Sequence, residues 1–168
     1  MRKLFRVAMM FAAVAVPALS ADQHCETGKG ILQARIEVPT WIGDVHVVIG
    51  ETDVLTGAFR PIAPPQRTGE SGIGLETGLK LKFDFGAQGS ISFEVPNGIT
   101  LQPAPGPNGS AEYRGIAKVI EGTGRFEKTT GTLLIDGMYI LWFEDPQNPA
   151  TVWGRWNANL TMRLCKAR

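Results

Sequence analysis

The sequence predicts an all-β chain, a single closed antiparallel β-barrel of about eight strands in the calycin-like manner, with a two-sheet sandwich as the alternative. Two features predict it. Beyond the first twenty or so residues no stretch keeps its apolar side chains at helical spacing; apolar and polar residues take turns instead, as on half-buried strands. Glycine and proline punctuate these runs throughout, since all 20 glycines and 10 of the 11 prolines fall after residue 21. Closing the sheet removes the free edges that an exported sheet of this size would otherwise have to protect.

The first segment is of another kind. Met1, Arg2, Lys3, Leu4, Phe5 and Arg6 give a basic start, an apolar run follows from Val7 to Val16, and Pro17 leads into Ala18, Leu19, Ser20 and Ala21. These are the three parts of a secretory signal peptide, and the apolar run is too short to span a bilayer. Residues 1–21 are therefore expected to be removed after Ser20 or Ala21. Residues 22–168 then form one domain, secreted or periplasmic. Cys25 lacks the small-residue motif of a lipid-anchored protein, so a soluble product is expected.

The strands follow in order. Residues 31–38 and 45–55 are predicted as the first two, with Pro39 to Asp44 between them. Leu79, Leu81, Phe83 and Phe85 alternate with Lys80, Lys82 and Asp84; Ile91, Phe93 and Val95 alternate with Ser90, Ser92 and Glu94. Gly86–Gly89 between these runs suits a hairpin turn, because glycine takes positive φ without steric cost. Tyr113, Gly115, Ala117 and Val119 alternate with Glu112, Arg114, Ile116 and Lys118. Residues 132–143 are predicted as one long or broken strand kinked near Gly137. The clearest run is the last: Val152, Gly154, Trp156, Ala158, Leu160, Met162 and Leu164 share one face, and Trp153, Arg155, Asn157, Asn159, Thr161 and Arg163 the other. Residues 57–78, rich in glycine and proline, and residues 102–110 are expected to be loops, the first a partly ordered one over a barrel mouth.

Composition excludes several functions. Without residues 1–21 the chain has 14 basic and 16 acidic residues, a formal charge of −2. No basic cluster remains to neutralise nucleic-acid phosphates or to hold an anionic membrane surface. Cys25 and Cys165, near the two ends, are expected to form a disulfide in an oxidising compartment. With only His24 and His46 beside them, they have neither the base partner of a catalytic thiol nor the paired spacing of a zinc site. Asn108-Gly109-Ser110 and Asn159-Leu160-Thr161 match glycosylation acceptors, the first in a predicted loop and the second within a predicted strand.

One motif has family character. A strand from Ala111 runs into Gly122-Thr123-Gly124-Arg125-Phe126, and Gly131-Thr132-Leu133 opens the next. This resembles the strand–Gly-Thr-Gly-x-Phe–x-x-x-x-Gly–strand hairpin of the allene oxide cyclase and dirigent-like β-barrels. The Gly154-x-Trp156 strand is similar to the closing strand of that group. The resemblance covers about 50 residues of the hairpin and last strand and implies an eight-stranded barrel around a mostly apolar cavity, assembled as a trimer, acting on reactive hydrophobic small molecules without a cofactor. None of that group's functional residues can be matched to positions here. The motif itself has structural reasons: the glycines permit a tight connection, and Phe126 can fold back as a plug on the core. It is not a phosphate loop, since Glu127 precedes Lys128-Thr129 and a strand follows.

The candidate ligand-lining residues are the apolar-face aromatics Phe83, Phe93, Tyr113, Trp142 and Trp156; Phe85 shares that pattern. They suit either plain core packing or a cavity for one small hydrophobic ligand, the expected partner. Glu112, Arg114, Arg155 and Asn157 fit a solvated outer face better than an acid–base site, and His46 fits a buried structural position or the surface of an edge strand better than a general base. No nucleophile–base pair, metal set or cofactor loop is present, so no cofactor is expected. Three functions remain open: a small-molecule binding or interaction module; a cofactor-free cyclase, isomerase or stereochemical guide; and a purely structural secreted subunit, favoured if the apolar side forms an exposed oligomer face.

Overall fold

Alternation becomes sheet wherever the chain is described. The computed structural model describes residues 23–37, 40–63, 66–68, 74–96, 99–103, 111–143 and 152–167. The signal segment 1–21, Asn108 and most of the loop at 102–110 lie outside them. Among the described residues there are eleven strands: β1 (Gln23–Glu37), β2 (Thr40–Ile49), β3 (Asp53–Ala63), β4 (Gln66–Thr68), β5 (Gly74–Thr77), β6 (Lys80–Asp84), β7 (Ser90–Glu94), β8 (Ile99–Pro103), β9 (Ala111–Gly122), β10 (Thr129–Phe143) and β11 (Val152–Ala167). Two single 3₁₀ turns, Gly86–Gln88 and Gly124–Phe126, are the helical elements among the described residues, and neither is long enough to cross a membrane.

Eight of the strands close a barrel. All pairings are antiparallel, in the order β10-β11-β1-β2-β3-β6-β7-β9, and β9 returns to β10. The closing seam joins the first and last strands, Gln23 opposite Ala167 through Glu37 opposite Trp153. The other three strands prolong the wall. Ala63 pairs with Lys80 and Gln66 with Thr77, so β4–β5 carries on the register of β3–β6; β8 likewise lies beside β9 beyond β7.

The predicted boundaries need three corrections. Residues 45–55 are not one strand: β2 ends at Ile49, Gly50–Thr52 form a turn, and residues 40–44 belong to β2. Val45, Val47, Ile49 and Leu55 are all buried odd-numbered positions, so the reversal leaves the alternation unbroken and invisible. The predicted loop 57–78 holds the second half of β3 together with β4 and β5. Pro61 is tolerated there because the register shifts between Pro61 and Ala63, a bulge where proline costs no ladder bond. Gln102 and Pro103, assigned to the second loop, pair with Glu112 and Ala111. Residues 129–143 run as one continuous strand through Gly137.

The core lies inside the barrel. Leu32, Ala34 and Ile36, Val45 and Val47, Leu81, Phe83 and Phe85, and every even position from Trp156 to Leu164 are buried. Glu112, Arg114, Arg155, Asn157, Asn159 and His46 are exposed. Their setting is a solvated wall: Arg114 approaches Asp136 at 3.9 Å, and His46 Nδ1 lies 3.1 Å from Thr56 Oγ1. Ser90 and Ser92, placed on a polar face by alternation, are buried as well.

Cys25 and Cys165 are directly opposite across the seam and are joined as a disulfide spanning 140 residues of sequence. Nearby, the Gly-Thr-Gly-x-Phe hairpin locks two turns together. Thr123 N–H donates to Ser90 O at 2.8 Å, and Ser90 N–H donates to Thr123 Oγ1 at 3.0 Å. Gly124, at φ +57°, has its Cα side against Gly89, where a side chain would collide. Phe126 turns inward, 3% exposed, and its ring meets that of Phe85 at 5.5 Å.

Candidate functional site: an aromatic layer at one end of the barrel

The two ends of the barrel differ. One carries the tight turns at Gly50–Thr52, Gly86–Gly89 and Thr123–Lys128, with the disulfide beside them. The strand ends leading into residues 38–39, 104–110 and 144–151 lie at the other.

Towards that second end a single cross-strand row is rich in rings. Reading across paired strands it runs Ala111, Tyr139, Trp156, Ala34, Gly43, Phe59, Phe83, Ile91. Side chains in one row stand about 5 Å apart at Cβ, so bulky groups need small ones between them. Ala34 and Gly43 supply that space. They let the indole of Trp156 and the ring of Phe59, three strands away, approach to 5.4 Å.

Trp156 is the centre of this layer. Its ring lies 5.0 Å from Tyr113, 5.4 Å from Tyr139 and 6.0 Å from Trp41, mostly edge-to-face or tilted. Such geometry sets the positive edge of one ring against the negative face of another. Phe59, Phe83 and Phe93 continue the chain of rings, with centroids 6.2 and 5.3 Å apart. Tyr113, Phe59, Phe83, Phe93, Tyr139 and Trp156 are all at most 1% exposed, while Trp41 is only partly buried.

Trp156 Nε1 is fully buried and has no hydrogen-bond partner. A buried tryptophan N–H ordinarily finds an acceptor, and leaving it without one costs about 1–3 kcal/mol.

Of the five ring residues predicted to line a cavity, Phe83, Phe93, Tyr113 and Trp156 are brought together inside the barrel. Trp142 lies in β10 opposite Trp153, and its side chain is outside the described residues. Trp41, Phe59 and Tyr139 were missed. Trp41 and Phe59 sit in segments whose prolines and glycines read as loop, and Tyr139 lies in a predicted strand where the sequence reading points to Trp142, at a position of opposite parity.

Ionisable groups keep away from the layer. Among the described residues no Asp, Glu, Lys, Arg or His is buried, and no three His, Cys, Asp or Glu side chains converge as metal ligands do. Asp53 and Arg125 pair near the turn end. The Arg125 guanidinium hydrogen-bonded to Asp53 holds that carboxyl below the usual carboxylate range, and Asp53 raises Arg125 in return.

No family model matches the chain, and no curated protein or solved structure is significantly similar to it.

Proposed function

We propose that the protein is an exported barrel that holds one small, flat, apolar molecule against the aromatic layer, with Trp156 Nε1–H donating to a single acceptor on that molecule. The observation that carries this reading is the indole buried among four rings with its N–H unpartnered. Aromatic and aliphatic walls with one placed polar group are the usual make-up of a small-molecule site. Trp41, at the rim, is the one ring of the described layer that is only partly buried, and it marks the approach.

Binding is favoured over acid–base catalysis because the described inner wall at this end presents rings and no carboxylate, imidazole or amine. The hairpin's resemblance to allene oxide cyclase and dirigent-like barrels, whose characterised members handle hydrophobic small molecules, points to the same ligand class. The Cys25–Cys165 bridge supports an oxidising setting.

The test uses 2-acetonaphthone, a flat apolar probe with one carbonyl acceptor, titrated while tryptophan fluorescence and amide NMR shifts are followed. Saturable binding with shifts at Trp156 and Trp41 is expected. Trp156→Phe keeps a ring but removes the donor, and it should weaken the ketone by about fivefold while leaving binding of naphthalene nearly unchanged. Absence of saturable binding, or equal loss for ketone and hydrocarbon, refutes the role given to the indole.

A further inference from the structure

The opposite end of the barrel has its own recess, of about 220 Å³. Its floor is apolar, made by Ile49, Phe126 and Leu164. Its wall is a cross-strand row of polar groups: Thr129 on β10 is directly opposite Lys166 on β11, which is directly opposite His24 on β1. All three line the recess.

Thr129 is the unusual member. It is 8% exposed, and its Oγ1 is buried with no hydrogen-bond partner. The neighbouring threonine, Thr130, does find one, the carbonyl of Cys165 at 3.3 Å. A hydroxyl that is buried at the wall of a recess and left unpaired is a group waiting for an acceptor.

The cations around it are not all paired with a carboxylate. Arg125 is held by Asp53, and His24 lies 3.6 Å from Glu26. Among the described residues Lys166 has no carboxylate partner; its ammonium donates to the Arg125 carbonyl oxygen, leaving two N–H groups for other acceptors. The facing ionisable groups are Arg125, His24 and Lys166 with Asp53 and Glu26, and of the two permanent cations Arg125 is paired with a carboxylate while Lys166 is not.

We propose that this recess is a second binding site, for a small monocarboxylate with an apolar body. One carboxylate oxygen accepts from Thr129 O–H and the other from Lys166 Nζ–H, side chains of directly opposite residues on adjacent strands that both line the recess. The body lies on Phe126, Ile49 and Leu164. A dianion fits less well, because Glu26 lies at the same recess and only one cation is unpaired. The site is separate from the aromatic layer and does not rest on its occupancy.

The test is a benzoate titration of the oxidised protein, followed by amide NMR shifts. Benzyl alcohol, with the same body and no charge, and inorganic phosphate, with charge and no body, are the comparators. Benzoate should give saturable shifts at Thr129, Lys166 and His24, and both comparators should bind more weakly. Thr129→Val should weaken benzoate about fivefold and Lys166→Gln about tenfold, while Thr129→Ser, which keeps the hydroxyl, should bind like the parent. The spectrum of each variant reports its fold independently. The proposal is overturned if benzoate produces no saturable shift at these residues. It is equally overturned if either comparator binds as tightly, or if the Val and Gln variants bind as the parent does.

Discussion

Removing the disulfide by Cys25→Ala/Cys165→Ala should cost close to the full loop-closure entropy, because the bridge constrains almost the whole chain. The cysteines are 140 residues apart. For a loop of that length the chain-entropy relation gives about 5 kcal/mol at room temperature, an upper figure that strain or residual denatured structure reduces. That is comparable with the entire stability of many domains, about 5–15 kcal/mol. The native barrel should tolerate the change, since the core cluster draws on even positions of β1 and β11 and includes neither cysteine. Cys165 is buried, but alanine is smaller and apolar, and fifteen paired positions still join the two strands. The assay is urea unfolding of the oxidised parent and the double variant, followed by circular dichroism and by fluorescence. The expected result is an unchanged native spectrum, a midpoint far lower, and a steeper denaturant dependence, because the uncrosslinked denatured chain exposes more surface. A stability difference under about 1 kcal/mol, with native spectra alike, would refute the argument that the bridge acts on the unfolded chain.

Three further outcomes are expected. Gly131→Ala should lower stability by about 3 kcal/mol in thermal unfolding, because Gly131 sits at φ +145° and an added Cβ would lie 2.0 Å from the Arg163 carbonyl oxygen; Gly78→Ala, with open space around it, should cost only about 1 kcal/mol. Phe126→Ala should cost about 3 kcal/mol or more in urea, because it empties a nearly closed site against Phe85. The Asp53–Arg125 pair stabilises the fold above the ordinary carboxylate pKa of 3.8 and loses that contribution as pH falls through the lower value of the folded state. Both partners are about a third exposed, so Asp53→Asn should cost no more than about 1 kcal/mol at neutral pH, and the difference from the parent should vanish in acid unfolding below that range.

Some of this architecture is plain in the order of residues and some is hidden. Strands β6, β9 and β11 are legible because every second side chain is apolar and buried, from Leu79 to Phe85, Ala111 to Ala117 and Trp156 to Leu164. The hairpin at Gly86–Gly89 and the bridge between the terminal strands are equally legible. The wall formed by β2 and β3 is not. Gly43 and Gly57 stand where inward apolar residues would mark the rhythm, and Pro61 suggests a break that a bulge absorbs. Burial also depends on what lies above a residue. Ser90 is closed off by its bonds to Thr123, 33 residues on, a relation no local pattern carries. The aromatic layer was half legible for the same reason. Tyr113 and Trp156 lie on clean alternating strands; Trp41 and Phe59 join them only through the register of the closed wall. The unpaired atoms of Trp156 and Thr129 have no signature in sequence at all, because they are defined by the lack of a neighbour.

The seam between β1 and β11 also sets a timetable. Its pairs are the most widely separated in the chain, Gln23 with Ala167 at the extreme. Every other described wall pairing links segments nearer in sequence, so hairpins such as β6–β7 and β9–β10 can zip as soon as they exist, whereas the cylinder stays an open sheet until its final strand arrives. Such topology makes closure the slow, entropically demanding step. Until then β1 presents a bare edge, and oxidation of two cysteines that face each other across that edge is the covalent record that the cylinder has shut.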